Sequence, residues 1–209
     1  MYLPPAFAED RLEVKHGLIQ AFPLGTLIVH GRSGLSADLV PFLLYGDEGG
    51  QGVLRAHVAR ANPVWQELEQ GADFLVQFTG PEAYVSPNWY AAKQVDHKVV
   101  PTWNYAAVQV RGQATVQSDS AWLRRLLDDL TALHERELPA PWSTADAPPG
   151  FIDTLSKAIV GIEVEIAEIT GKWKVSQNRP APDQRTVAQG LQGRAPGMAA
   201  LVTERFKPE

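Results

Sequence analysis

Three short blocks of this 209-residue sequence concentrate the side chains suited to binding or chemistry. The first runs from Leu54 to Pro63 and holds Arg55, His57, Arg60 and Asn62 where a strand pattern gives way to a helix start. Free N–H groups at such a start, joined by Arg60, suit an anion. A solvated Arg beside a capped helix fits the same residues. The second block, Gly80 to Tyr90 with Lys93 and then Val99 to Tyr105, scatters Tyr84, Trp89, Tyr90, Trp103 and Tyr105 among Ser, Thr and Asn side chains. Ring faces beside hydrogen-bonding groups suit a flat heteroaromatic ligand or a subunit interface, and they equally suit plugs at the ends of a barrel. The third, Gly171 to Arg179, brackets Trp173 with Lys172, Lys174 and Arg179 and adds Ser176, Gln177 and Asn178. It reads as a cationic segment able to close over an anionic ligand, or as an exposed basic tail.

Other chemistries are poorly served. There is no Gly-x-Gly-x-x-Gly, Walker loop or Gly-x-Ser-x-Gly. His57 and His97 stand at no metal-site spacing and no His-x-x-x-His pair occurs, so no metal site is expected. A lone His beside a strand is most often a hydrogen-bonded structural residue. With no cysteine, thiolate nucleophiles, disulfides, Cys-ligated zinc and iron–sulfur clusters are excluded.

The elements that must carry these blocks are mostly strands in the first two-thirds of the chain. Leu24 to Val29 is a β-branched run, His30 to Gly34 a turn, and Leu35 to Tyr45 a second run interrupted by Pro41, which marks an edge or a bulge. Gly46 to Gly52 is a hairpin connection and Val53 to Val58 its returning strand. Asn62 to Leu68 reads as a short helix with Asn62 as cap and Pro63 at its first position. Asp73 to Thr79 is another strand. The cleanest alternation runs from Tyr105 to Gln117, with Val108, Val110, Gly112, Ala114 and Val116 on one face. Short strands with glycine turns suggest a small barrel. The pattern then turns helical: Ser118 or Asp119 caps a segment with Leu123, Leu126, Leu127, Leu130 and Leu133 at helical spacing, four prolines break residues 138–149, and Phe151 to Ile159 forms a second helix. Ile162, Val164 and Ile166 mark a last strand. Thr186 to Leu191 reads as a short helix followed by a loose tail.

The composition, 44% hydrophobic and 21% charged, is that of a globular chain large enough to bury a core unaided. No apolar run is long enough to span a membrane, and the first ten residues lack signal-peptide character, so no membrane association and a cytoplasmic address are expected. The formal net charge is -5, with 8 Lys/Arg against 11 Asp/Glu in residues 1–112 and 11 against 13 in residues 113–209. Nothing in that distribution supports direct DNA contact.

Taken together, His57 to Pro63, Gly80-Pro81 with Tyr84 to Tyr90, Val100 to Tyr105, and Lys172 to Asn178 resemble the signature of the PaiB family, described as FMN-binding negative transcriptional regulators, in order along most of the chain. The resemblance implies an α+β, predominantly β fold: an FMN-binding split β-barrel of the pyridoxamine 5′-phosphate oxidase type with peripheral helices. It implies a single domain over residues 1–209, with a helical insertion at about 119–159 and a carboxyl-terminal segment at about 172–209. It also implies a homodimer holding FMN, a small phosphorylated planar ligand, in clefts between subunits. On that basis Arg60 and the helix start at Asn62 take the phosphate and His57 lines the same strand end. Thr102, Trp103 and Asn104 flank the ring, and Lys174, Ser176 and Gln177 reach in from the third block. One departure is Asp38 to Pro41, where family members often carry His or Thr shortly before the proline; a carboxylate near a phosphate costs around 1 kcal/mol if surface-exposed. The function implied is negative regulation of transcription, acting indirectly through a small ligand or partner. The alternative is a flavin-dependent oxidoreductase acting on a small molecule. A haem reading finds no haem-type motif around His16, His30, His57, His97 or His134.

Overall fold

The structure, a computed structural model, describes residues 1–206. In chain order its elements are β1 (Ala8–Glu9), α1 (Leu12–Ala21), β2 (Leu24–Gly31), β3 (Gly34–Pro41), β4 (Leu43–Tyr45), β5 (Val53–Ala59), α2 (Val64–Glu69), β6 (Asp73–Val85) and α3 (Lys93–Asp96). Then follow β7 (Thr102–Gln117), α4 (Ser120–Glu135), α5 (Phe151–Ser156), β8 (Ile159–Lys174), α6 (Ala181–Gln192) and α7 (Pro196–Glu204). The strands hydrogen-bond in the order β3-β2-β6-β7-β8-β5-β4, with β1 joined to β8. The β1–β8, β2–β3, β2–β6, β4–β5 and β5–β8 pairings are all antiparallel. The fold is thus mixed α+β and mostly β. Among the described residues no helix is long and apolar enough to cross a membrane.

The chain divides into two compact units, one of residues 1–22, 78–109 and 170–209 (unit 1), the other of residues 23–77 and 110–169 (unit 2). Unit 2 contains the two hairpins expected from the turn residues. β2 and β3 pair from Leu24↔Pro41 to Gly31↔Gly34, and Gly34 supplies the positive φ of 100° that the turn needs. Gly25, Leu27 and Val29 of β2 are buried while their neighbours are not, the period-2 signature of a strand with one face in a core. The opposite face carries the exposed Leu24, Leu35 and Leu39. Pro41 closes β3, which lies at the end of the strand order, where a missing N–H removes no ladder bond. The ladder between β5 and β8 runs from Val53↔Glu165 to Ala59↔Ile159 and buries Leu54, Ala56, Val58, Val160, Ile162 and Val164.

Helix α4 starts where expected. The Asp119 carboxylate accepts the Trp122 N–H at 2.7 Å, Leu123 and Leu126 are buried, and the Trp122 ring covers Gly161 of β8 so closely that a Cβ there would lie 2.2 Å from it. Asp119→Ala removes the acceptor of one helix-start N–H; a loss of about 1 kcal/mol in urea unfolding is expected. An unchanged midpoint would show that the cap is dispensable. Arg124, one turn on, gathers Asp128 at 3.2 Å, Thr144 at 3.1 Å and Asp153 at 3.5 Å, fixing the proline-broken segment between α4 and α5. Helix α2 begins at Val64, one residue after the expected Pro63, which is itself the capping residue; Asn62 stands one position further out and accepts the Val64 N–H at 2.9 Å.

In unit 1, residues 12–21, to which the sequence pattern assigns no element, form α1, with Leu18 and Ile19 buried. The three-residue 3-10 helix Pro87–Trp89 presses the Trp89 ring onto Gly190 of α6, where any Cβ would clash at 2.5 Å. Two expectations change here. Gly171 to Lys174 do not follow the last strand but lie within β8, which is 16 residues long. The loose tail is helix α7, which buries Met198, Ala199 and Val202.

Candidate functional site

The nine expected site residues fall into two groups, one in each unit. In unit 2, His57 lies on β5 directly across from Gly161 and is mostly buried. Burial lowers the imidazole pKa, favouring the neutral ring, and its Nδ1 is buried without a hydrogen-bond partner. Arg60 follows the strand end. Its Nε donates to the Lys157 carbonyl at 2.8 Å and its Nη2 to the Ile159 carbonyl at 2.9 Å, so two of its three guanidinium nitrogens hold the turn after β5 against the corner between α5 and β8. The side chain also lines an open cleft of about 610 Å³ with Ser118, Ser120, Arg124, Asp153 and Lys157. Asn62 is engaged at both ends, since its Nδ2 donates to Asp38 Oδ1 at 2.9 Å. The carboxylate of the departing Asp38 is therefore held by an amide of the candidate site.

In unit 1, Asn104 bonds Ser176, Lys174 bonds Thr102, and Gln177 braces the turn between them. Asn104 is 1% exposed; its Nδ2 donates to Ser176 Oγ at 2.9 Å, while its Oδ1 is buried and unpartnered. Ser176 adopts a left-handed φ of 65°, unusual for a residue with a Cβ, and such conformations cluster at ligand sites. That conformation opens a turn closed by the Arg179 N–H on the Ser176 carbonyl at 2.9 Å. Gln177 locks the turn, accepting the Val175 N–H at 2.8 Å and donating to the Trp173 carbonyl. The Lys174 ammonium donates to the Thr102 hydroxyl and the Trp103 carbonyl. Desolvation, and then repulsion from Lys172 and Arg179, pull the Lys174 pKa down.

Trp103 stands apart from Thr102 and Asn104. Alternation along β7 turns its indole to the other face, where it is 50% exposed, meets Tyr84 edge-on at 6.1 Å and donates its N–H to Glu82. Sequence reasoning did not name Glu82 as the indole's acceptor; Lys172 and Arg179 stood in its cationic third block but without a role of their own. Lys172 is 8% exposed, donates to the Tyr2 carbonyl at 2.9 Å and lies 5.2 Å from the centre of the Tyr105 ring. The Arg179 guanidinium stacks 4.7 Å above Tyr90.

Three buried side-chain polar atoms lack a hydrogen bond among the described residues: His57 Nδ1, Asn104 Oδ1 and the Tyr90 hydroxyl. Two of the three belong to the nine expected residues. Buried polar groups are almost always satisfied, so each of these atoms is able to receive a further hydrogen-bonding group. Cations, exposed rings and an open amide oxygen match the phosphate, planar ring and ring N–H of a flavin mononucleotide. The residues present fit such a group.

Comparison with known proteins agrees. Residues 1–168 match the model of a family described as "Putative FMN-binding domain". The chain is 30% identical over 218 residues to the Bacillus subtilis protein named "Protease synthase and sporulation protein PAI 2", covering 100% of both chains. It is 33% identical over 254 residues to an Aspergillus fumigatus protein, covering 98% of this chain and 97% of that one. Among solved structures, an FAD and haem binding protein of Mycobacterium smegmatis superimposes with a TM-score of 0.60 at 20% identity, over 80% of this chain and 73% of that one. The flavocytochrome Anf3 of Azotobacter vinelandii gives 0.57 at 18% identity, over 80% and 69%. At these identities the two structures speak for the fold alone, and the fold is the FMN-binding split β-barrel.

Proposed function

The chain belongs to the PaiB family of FMN-binding proteins, and we propose on that footing that it works as a cytoplasmic homodimer that binds FMN and lowers transcription indirectly, without gripping DNA itself. The observation that carries the reading is the open, buried Asn104 Oδ1 among the candidate residues of unit 1. FMN, the family's cofactor, supplies redox chemistry of its own when bound; the protein's share is to hold and orient it. Asn104 Oδ1 would accept an N–H of the ring, with Ser176 fixing the amide through its hydroxyl. Thr102, Lys174 and Gln177 would frame the same side, while the Trp103 indole lies on the other face of β7 with Tyr84 and Glu82. His57, Arg60 and Asn62 belong to unit 2, where the Arg60 guanidinium keeps Nη1 outside its two carbonyl bonds.

The regulatory part draws on the Bacillus relative, whose name ties it to protease synthesis and sporulation. The indirect mode draws on charge: with -5 overall and an acidic excess in both halves, the sequence lacks the basic footprint that phosphate neutralisation requires.

The test uses the purified full chain. Incubated with FMN and desalted, it should keep a flavin spectrum at one equivalent per chain, and light scattering should report a dimer. Asn104→Ala should weaken retention by roughly tenfold, the effect of one lost hydrogen bond in a buried site. The same preparation should show no salt-sensitive shift of promoter DNA. A colourless protein after reconstitution removes the flavin reading, and a tight, salt-sensitive shift removes the indirect mode.

A further inference from the structure

We propose that Lys172, Lys174 and Arg179 of unit 1 form a receptor for a phosphate monoester. The inference rests on the flavin reading only in naming FMN as the ester presented to it.

The three cations lie within eight residues, and no carboxylate among the described residues forms an ion pair with any of them. Lys172 is buried and Lys174 is half-buried. A cation withdrawn from water without a counter-charge is costly, so buried charges are nearly always paired. Neutral groups hold these in place instead. The Tyr2 carbonyl takes the Lys172 ammonium, the Thr102 hydroxyl and Trp103 carbonyl take the Lys174 ammonium, and the Tyr90 ring underlies the Arg179 guanidinium.

Two acids of unit 1 make other hydrogen bonds and no ion pair with the three cations. Glu82 accepts the Trp103 indole N–H, and Asp183 accepts the Ala92 N–H at 2.9 Å. Lys172 and Lys174 stand two apart on β8, so both leave the strand on one side. The left-handed φ at Ser176 opens the turn that carries Arg179, and desolvation, with repulsion from Lys172 and Arg179 after it, lowers the Lys174 pKa. Like charges gathered by a strained turn and left unneutralised describe a site waiting for a dianion. A guanidinium fork with two ammonium donors is the donor set that phosphate oxygens accept.

The test is calorimetric titration of the full chain with FMN, with riboflavin, which lacks the phosphate, and with inorganic phosphate. Arg179→Gln is the principal variant, because Arg179 donates no side-chain hydrogen bond to the backbone; Lys174→Gln is the second and Arg179→Lys the conservative rescue. Arg111→Gln, on the exposed face of β7 in unit 2, is the charge-matched control. The wild type should bind FMN at least about tenfold tighter than riboflavin, with inorganic phosphate competing. Arg179→Gln should erase about tenfold of the FMN affinity and leave riboflavin unchanged, as loss of a charge-assisted hydrogen bond implies, and Lys174→Gln, whose ammonium also borders the ring side, should narrow the preference for FMN over riboflavin. Arg179→Lys should recover part of the loss, and Arg111→Gln should match the wild type. If both variants, shown folded by their melting temperatures, retain the full preference for FMN over riboflavin, the receptor is refuted and the flavin reading survives. If neither flavin binds but phosphate does, and Arg179→Gln abolishes it, the receptor stands for another phosphate ester and the flavin reading falls. Absence of any phosphate-dependent binding overturns the receptor.

Discussion

Gly112→Ala is expected to destabilise the protein by at least about 3 kcal/mol, at the upper end of overpacking effects. Gly112 lies in β7, and a Cβ built on it would stand 1.9 Å from the Glu165 carbonyl oxygen, 3.0 Å from its carbon and 3.2 Å from the Ala167 nitrogen. All three are backbone atoms, so no side chain can swing aside. Nor can β8 retreat cheaply, because its far edge is held at Val53↔Glu165 and by the Ile166 N–H on the Gly52 carbonyl at 3.1 Å. Gly17→Ala in α1 is the opposite case. Nothing lies within 4 Å of its new Cβ, and the exchange should raise stability by up to about 1 kcal/mol through helix propensity. Urea unfolding of both variants beside the wild type decides it: a Gly112→Ala cost under about 1 kcal/mol would mean the two strands do not approach as described.

A comparable loss, about 3 kcal/mol, should follow from Arg205→Met at neutral pH, because it leaves Glu9 with one cation in place of two. Glu9 is 3% exposed and accepts the Arg11 Nε at 2.9 Å, its Nη2 at 2.8 Å and its backbone N–H at 3.0 Å, with Arg205 completing the clamp. Burial by itself raises the carboxyl pKa, but the hydrogen bonds from Arg11 and Arg205 outweigh it and bring the group down from 4.5 to about 2. A pKa depressed on folding means the folded state binds the proton less readily than the unfolded one. The contribution is therefore complete above about pH 4.5 and fades as pH falls towards 2; at about 1.4 kcal/mol per pKa unit it amounts to roughly 3 kcal/mol. Urea midpoints between pH 7 and pH 2 should fall steeply over that acid window in the wild type and less so in Glu9→Gln. An Arg205→Met protein within 0.5 kcal/mol of the wild type at pH 7 (roughly the scatter of neutral surface substitutions) would contradict the clamp.

Local patterns made much of the fold legible. Alternation at Val108 and Val110, the glycines between β4 and β5, and Asp119 before Leu123 and Leu126 each act within a few residues, and each element is where its pattern indicates. Where burial changes phase, the pattern fails. In β8, Ala167 and Glu168 are both exposed, so the alternation from Ile162 slips by one and hides the continuation to Lys174. Helix α7 was hidden for another reason: from Pro196 to Val202 nearly every residue is small or apolar, leaving no polar face to set against a buried one. The candidate site divides in the same way. Its residue types stand out as three blocks, and the family resemblance supplied the roles. The bond from Asn104 to Ser176 spans 72 residues, however, and the spending of Arg60 on two carbonyls depends on a corner formed almost a hundred residues later. The missing counter-charge around Lys172 and Arg179 is likewise a property of three-dimensional neighbours, with no linear signature.

The interleaving of the two units carries a consequence for how the molecule is made. Every residue of unit 2 has been translated by Ile169, so that unit can consolidate as soon as this stretch clears the ribosomal tunnel. Unit 1 draws on residues 1–22, 78–109 and 170–209, and its Glu9 meets Arg205 only after the stretch that carries Arg205 has been made. Residues 1–22 must wait, unclasped, until the stretch from residue 170 onward is made, and a chain released just after Ile169 would carry a finished unit 2 joined to a unit 1 lacking residues 170–209.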